Sequence, residues 1–207
     1  MPRPVIIDTP YWTDESRPHL KKSYRKEILD RIEELFGTYM KNHNKAFFFR
    51  HDVHFPIFYP AYKPDNSIFE HYIENLTNYF DSQALQPAYL WVRESGEQGE
   101  SGHHHYHIIY LLLGSQIQDS HYPIQAAKKY WALALDIPDG DGYVNDCTRD
   151  RFGRNQENGI KIIRHSPDYL SVLHRCKVWS QYIAKTEGKS PDLLPPHVRC
   201  FNSSRLQ

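Results

Sequence analysis

The segment His103–Leu113 reads HHHYHIIYLLL, and within it His105 and His107 stand two residues apart. In a β-strand, residues i and i+2 point to the same side, so this spacing presents two imidazoles together and turns Tyr106 the other way. Two imidazoles one pleat apart suit Mn, Zn, Fe or Cu, and a carboxylate as third ligand moves the preference toward harder divalent ions such as Mn or Mg. Glu94 closes the preceding β-forming segment PAYLWVRE and is the expected third ligand, brought alongside by cross-strand pairing. Glu97 and Glu100, in the connecting turn, are weaker choices. The run IIYLLL that follows marks a central buried strand, where unpaired imidazoles would be costly. His103 and His104 are expected to face solvent with no ligand role.

A second group lies near the end of the chain, where Tyr182 and Lys185 are three residues apart in YIAK. On a helix that spacing puts the phenol and the ammonium on one face. Tyrosine can act as a covalent nucleophile, and a neighbouring cation favours its phenolate and a phosphorane-like transition state. One tyrosine among 15 ordinarily packs on a core face with its lysine extending to water. Only in company with a metal site does the pair acquire a chemical use.

The elements that must position these residues can be read from periodicity and punctuation. His19–Asn42 carries Ile28, Ile32, Leu35, Phe36 and Tyr39 at helical spacing. Lys45–Val53 is an aromatic-rich strand that stops before Pro56, and Phe55–Pro64 is a proline-rich loop. A second helix starts near Asn66 or Ser67, with Phe69, Tyr72, Ile73, Leu76, Tyr79 and Phe80 on one face. Pro87–Glu94 and His103–Leu113 form a hairpin around the polar turn Ser95–Gly102. Pro123 suits the first turn of a helix that continues over Gln125–Leu135, and Gly159–Arg164 is a short strand. The last helix begins with Ser166 as N-cap and Pro167 at its first position and runs to about Thr186, with Gly188 ending it. The fold class expected is α+β, an antiparallel sheet with helices on one face. Residues 1–18 read as an extended lead-in, 19–190 as one domain and 191–207 as an irregular tail.

Composition sets outer bounds. A chain of 207 residues with 40% hydrophobic content buries one sizeable core. No stretch of about 18 apolar residues and no apolar leader core is present, so an intracellular, cytoplasmic protein without membrane contact is expected. Cys147, Cys176 and Cys200 are odd in number and far apart, which points to unpaired thiols. The net charge of zero removes a globally basic surface as an argument for nucleic acid. Charge is nevertheless segregated: seven acids and one base lie between Asp65 and Glu100, eight bases and three acids between Gly159 and Gln207. The basic end can face phosphates, or the two segments can simply be oppositely charged solvated faces.

The motif HYHII after an acidic turn, preceded by WVRE and followed by YIAKTEGK, resembles the HUH replication initiators. The resemblance is to the filamentous-phage (inovirus) type, including the YagK/YfjJ prophage proteins, and spans residues 45–190. FFFRHDVHFP (Phe47–Pro56) resembles the first motif of that family, with Arg50, Asp52 and His54 alternating onto one face. The resemblance implies an HUH endonuclease core with an RRM-like sheet carrying the histidine pair and a helix delivering the tyrosine. It implies a divalent metal, Mn or Mg, polarising the scissile phosphate. The implied activity is site-specific nicking and rejoining of single-stranded origin DNA through a 5′-phosphotyrosine, leaving a 3′-hydroxyl to prime rolling-circle replication of a phage or related mobile element. By motif, His105 and His107 match the metal-binding pair, Tyr182 the nucleophile and Lys185 its companion. Glu94 matches the acidic ligand by position, and Arg50 and Asp52 are expected at the DNA. Tyr169 lies 13 residues before Tyr182, so a single-tyrosine enzyme is expected. No GxxxxGKS/T phosphate loop is present, which would leave strand separation and synthesis to a host helicase and polymerase in a bacterial cytoplasm.

Two other classes compete. His103, His105 and His107 form an HxHxH alternation like that of histidine-triad nucleotide hydrolases, although His104 interrupts the apolar residues such a triad expects and Tyr182 would have no role. A non-catalytic DNA-binding or metal-binding module on the same sheet would keep the fold and do no chemistry.

Overall fold

The computed structural model describes residues 4–13, 23–95, 103–149, 153–189 and 195–205. Two short strands, β1 (Ile6–Ile7) and β2 (Tyr24–Arg25), pair with each other and lead into α1 (Lys26–Asn42). Then follow β3 (Lys45–His54), α2 (Ser67–Ser82), β4 (Ala88–Glu94), β5 (His105–Leu113), α3 (His121–Leu135), β6 (Val144–Asn145) and β7 (Ile160–Ile163). The chain closes with α4 (Tyr169–Ser180), a 3-10 turn (Gln181–Ala184) and β8 (Phe201–Ser203). The main sheet runs β6-β3-β5-β4-β8, with β7 also on β3, and every pair is antiparallel. The fold is α+β, and the histidine strand is central, between β3 and β4.

Alternation along the central strands builds two cores. Ala46 and Phe48 of β3, Ile109 and Leu111 of β5, and Ala88, Leu90 and Val92 of β4 pack with α1 and α4. Their sequence neighbours Phe47, Phe49, Ile108, Tyr110, Leu112 and Trp91 pack with α2 and α3. Helices therefore lie on both faces of the sheet, where one covered face was expected. The reason lies in AFFF and IIYLLL: these strands have no polar alternate positions, so both sides need cover, as in doubly covered sheets. The amphipathic α1 supplies Ile28, Ile32, Leu35, Phe36 and Met40 to one core, and Phe69, Tyr72, Ile73, Leu76 and Phe80 of α2 fill the other.

Four boundaries depart from the sequence reading, one of them the start of the last helix, which begins at Tyr169 after Asp168 and not at the expected Ser166 cap and Pro167. The first helix begins at Lys26, because Tyr24 and Arg25 are taken by pairing with β1. The last α-helix stops at Ser180: Lys185 is extended, bridges Tyr24, and is followed by a Thr186 N–H that donates to Ser23 O at 3.0 Å. Tertiary pairing has captured the segment that helical spacing alone would extend. The tail, expected to be irregular, supplies β8 to the free edge of β4. Three residues are too short a strand to show a period. All three cysteines are buried and unpaired.

Candidate metal and nucleophile site

Sheet register assembles the site. His107 lies opposite Asp52 of β3 and Val92 of β4, while His105 lies opposite His54 and Glu94. Residues directly opposed across antiparallel strands share a face, so Asp52, His54, Glu94, His105 and His107 converge at one end of the face covered by α1 and α4. Glu94, His105 and His107 each offer a ligand atom, and these atoms lie within 4.8 Å of one another. This group can hold a metal ion. Glu97 and Glu100 fall outside the described residues.

Hydrogen bonding fixes the central imidazole. His107 Nδ1 is 2.7 Å from Asp52 Oδ1 and its Nε2 is 3.0 Å from Glu94 Oε2. Asp52 thus turns Nε2 toward Glu94 and His105, the carboxylate–histidine arrangement that orients a metal-bound imidazole. Burial disfavours the His107 charge, but Asp52 and Glu94 outweigh it and raise its pKa. Burial likewise works to raise the Asp52 carboxyl, yet His107, Arg50 and His54 hold it far below the ordinary range. Glu94 is held down similarly by His107 and Lys189 against its own burial. For His105, burial and the neighbouring His107 push the pKa down to about 3, so its ring is neutral and keeps a lone pair for a cation. Two imidazole nitrogens and one carboxylate, braced by a second carboxylate, fit a divalent ion with coordination positions left open.

Tyr182 approaches this group from the 3-10 turn. In 3-10 geometry residues i and i+3 eclipse, and Lys185 accordingly lies over Tyr182, its ammonium 4.0 Å from the ring centroid and donating to Oη at 2.8 Å. The phenol ring stands edge-on to His107, centroids 5.7 Å apart at 88°. The Arg50 guanidinium sits 5.1 Å from the centroid of the same ring and donates to Trp179 O at 3.2 Å, tying the end of α4 to β3. Tyr182 is 42% exposed while Lys185 is buried. A phenol reachable from solvent beside an enclosed ammonium is an arrangement suited to nucleophilic attack on an anionic ester.

Arg50 and Asp52, expected at the DNA, are only 5% and 8% exposed and turn toward Trp179, Tyr182 and His107. His104 is 3% exposed where a solvent-facing ring was expected. It lies on the other side of the strand, 2.6 Å from the Tyr62 hydroxyl and 2.9 Å from that of Tyr106. His103 stacks on Tyr62 at 4.1 Å and meets Ile57 O at 3.1 Å, so the HxHxH alternation does not form one site. The sequence reading missed Lys189, whose ammonium donates to Glu94 Oε2 at 2.7 Å. Its signal was present in the GK that ends YIAKTEGK, but an extended helix gave it no reason to turn back toward the strand.

The YagK/YfjJ C-terminal domain family matches the chain over residues 8–204. Among solved structures, the N-terminal nuclease domain of minute virus of mice non-structural protein 1 is similar at 11% identity with a TM-score of 0.33, covering 68% of this chain and 79% of that one. No curated protein gives a significant match. No described helix is long and apolar enough to cross a membrane.

Proposed function

This chain belongs to the YagK/YfjJ C-terminal domain family, and we propose that it is a metal-dependent HUH endonuclease that nicks and rejoins single-stranded origin DNA through Tyr182, initiating rolling-circle replication of a phage or related mobile element. The observation that carries this reading is the juxtaposition of Tyr182 with His107, a member of the group able to hold a metal, at 5.7 Å between ring centroids. When bound at Glu94, His105 and His107, a divalent ion such as Mn or Mg supplies Lewis acidity to the scissile phosphate.

The chain's own groups do the rest. Lys185 donates to the phenol oxygen in the resting state and favours its anionic form as the proton leaves. The Tyr182 oxygen forms a bond to phosphorus, and the bond from phosphorus to the 3′ oxygen breaks. One proton is lost by the phenol and one is gained by the departing oxygen. The products are a 5′-phosphotyrosine and a free 3′-hydroxyl, and attack by a 3′-hydroxyl on the phosphotyrosine reverses the step and rejoins the strand. Asp52 orients His107, and Arg50 braces the tyrosine ring; their burial favours these positioning roles over direct DNA contact. In this reading a host helicase and polymerase open and extend the nicked strand, in the cytoplasm of a bacterial host.

Incubation with circular single-stranded DNA and Mn, followed by denaturing electrophoresis, should yield a protein–DNA adduct that requires the metal. A chain that binds single-stranded DNA and Mn yet yields no adduct would favour a non-catalytic binding module.

A further inference from the structure

The turn Thr186–Lys189 has no part in the chemistry above, yet it touches both halves of the site. The Lys189 side chain is fully enclosed, and its ammonium donates to Glu94 Oε2 at 2.7 Å and to Glu187 O at 3.3 Å. Removing an ammonium from water is expensive unless it is paired and hydrogen-bonded, so its place is well determined. Gly188 has a positive φ of 67°, and a Cβ there would stand 2.5 Å from Glu94 Cγ and 2.9 Å from Oε1. Gly188 O accepts the Ser95 N–H at 2.8 Å, which joins the turn to the residue after β4. Just upstream, Lys185 bridges Tyr24 and donates to Tyr182.

The geometry points to Gly188 and Lys189 as positioning residues: their turn fixes the Glu94 carboxylate against the His105–His107 pair and ties it to the segment that carries Tyr182. The inference rests on the metal-site reading of Glu94, His105 and His107. Glu94 Oε2 accepts from Lys189 Nζ at 2.7 Å and lies 3.0 Å from His107 Nε2, and Gly188 packs against Cγ and Oε1. Both the rotamer and the tilt of the carboxylate are then set by neighbours. The ammonium also repels an incoming divalent cation, so a change at Lys189 mixes charge with position. A change at Gly188 alters position alone.

The test is calorimetric titration with Mn of the full chain and of Gly188→Ala, Glu94→Gln and Lys189→Met, alongside nicking kinetics. Loss of groups that orient a metal ligand typically weakens binding about 10- to 100-fold, and Gly188→Ala should bind Mn about tenfold more weakly than the parent. Lys189→Met should lower kcat about tenfold with the KM for the oligonucleotide unchanged, and Lys189→Arg should restore most of it. Parent-like Mn affinity in Gly188→Ala, with Glu94→Gln impaired, would overturn the inference, as would parent-like kcat in Lys189→Met. Should Gly188→Ala fail to melt cooperatively, the Lys189 pair decides. If Glu94→Gln itself binds Mn like the parent, the metal-site reading has failed instead.

Discussion

The ring of Tyr182 meets the imidazole of His107 edge-on, with 5.7 Å between centroids and 88° between planes. His107 is at the same time held by Asp52 on one nitrogen and Glu94 on the other. A phenol that accepts a hydrogen bond from a lysine therefore borders a group able to hold a metal ion.

Replacing Tyr182 by phenylalanine removes only the nucleophilic oxygen. The variant should bind single-stranded DNA within about twofold of the parent by fluorescence anisotropy and form no adduct on a denaturing gel. Lys185→Met should still form the adduct, but on the order of 100-fold more slowly, the usual loss for one electrostatic donor at a developing charge.

Alanine at His105 or His107, or addition of a chelator, should abolish nicking. His105→Ala should leave the melting temperature nearly unchanged. His107→Ala should in addition cost about 1–3 kcal/mol, because Asp52 is left buried without its principal partner. Nicking in chelator-treated buffer by either variant would exclude metal participation.

Asp52→Ala separates positioning from DNA contact. If Asp52 acts through His107, Mn affinity should fall about 10- to 100-fold by calorimetry while the affinity of the metal-free chain for DNA is unchanged. A loss of DNA affinity without a loss of Mn affinity would return Asp52 to the DNA interface.

The pH dependence of stability should be steep on the acid side. Burial lowers the His51 pKa from 6.5 to about 4, with Asp52 opposing and Arg50 reinforcing the shift; burial also lowers His104 to about 3. The unfolded chain therefore binds more protons than the folded one between the folded pKa and 6.5. The share of stability carried by His51 and His104 is full above pH 6.5, falls as pH drops below it, and levels off near the folded pKa, with His51 contributing on the order of 3 kcal/mol across that window. Denaturant titrations at pH 7.5 and 4.5 measure the difference. His51→Gln should reduce it by about one proton's worth.

Much of this was legible in the chain. His105 and His107 fall on a central strand because IIYLLL admits no solvated face, and Glu94 falls beside them because a hairpin brings strand ends together. Alternation puts Arg50, Asp52 and His54 on one face, and β3 presents them so. What the sequence hid were departures from periodicity imposed by distant partners. Tyr182 and Lys185 stack through a 3-10 turn because Tyr24, far away in sequence, claims Lys185 in a bridge. Lys189 reaches Glu94 only because Gly188 takes a left-handed conformation beside that carboxylate. Enclosure of His104 is not legible locally because Tyr62, 42 residues away, covers it. Local pattern set the faces; long-range pairing set the ends, and the site is built at the ends.

The most direct test of the account is to locate the covalent bond. The Mn-dependent adduct formed on single-stranded DNA should be digested with nuclease and trypsin and its nucleotide-bearing peptide sequenced by mass spectrometry. The segment after Lys177 reads VWSQYIAK and contains Tyr182 as its one tyrosine, so the account predicts the nucleotide on that peptide. A nucleotide on a peptide carrying Tyr169, Tyr24 or any other tyrosine, or no modified tyrosine at all, would contradict it.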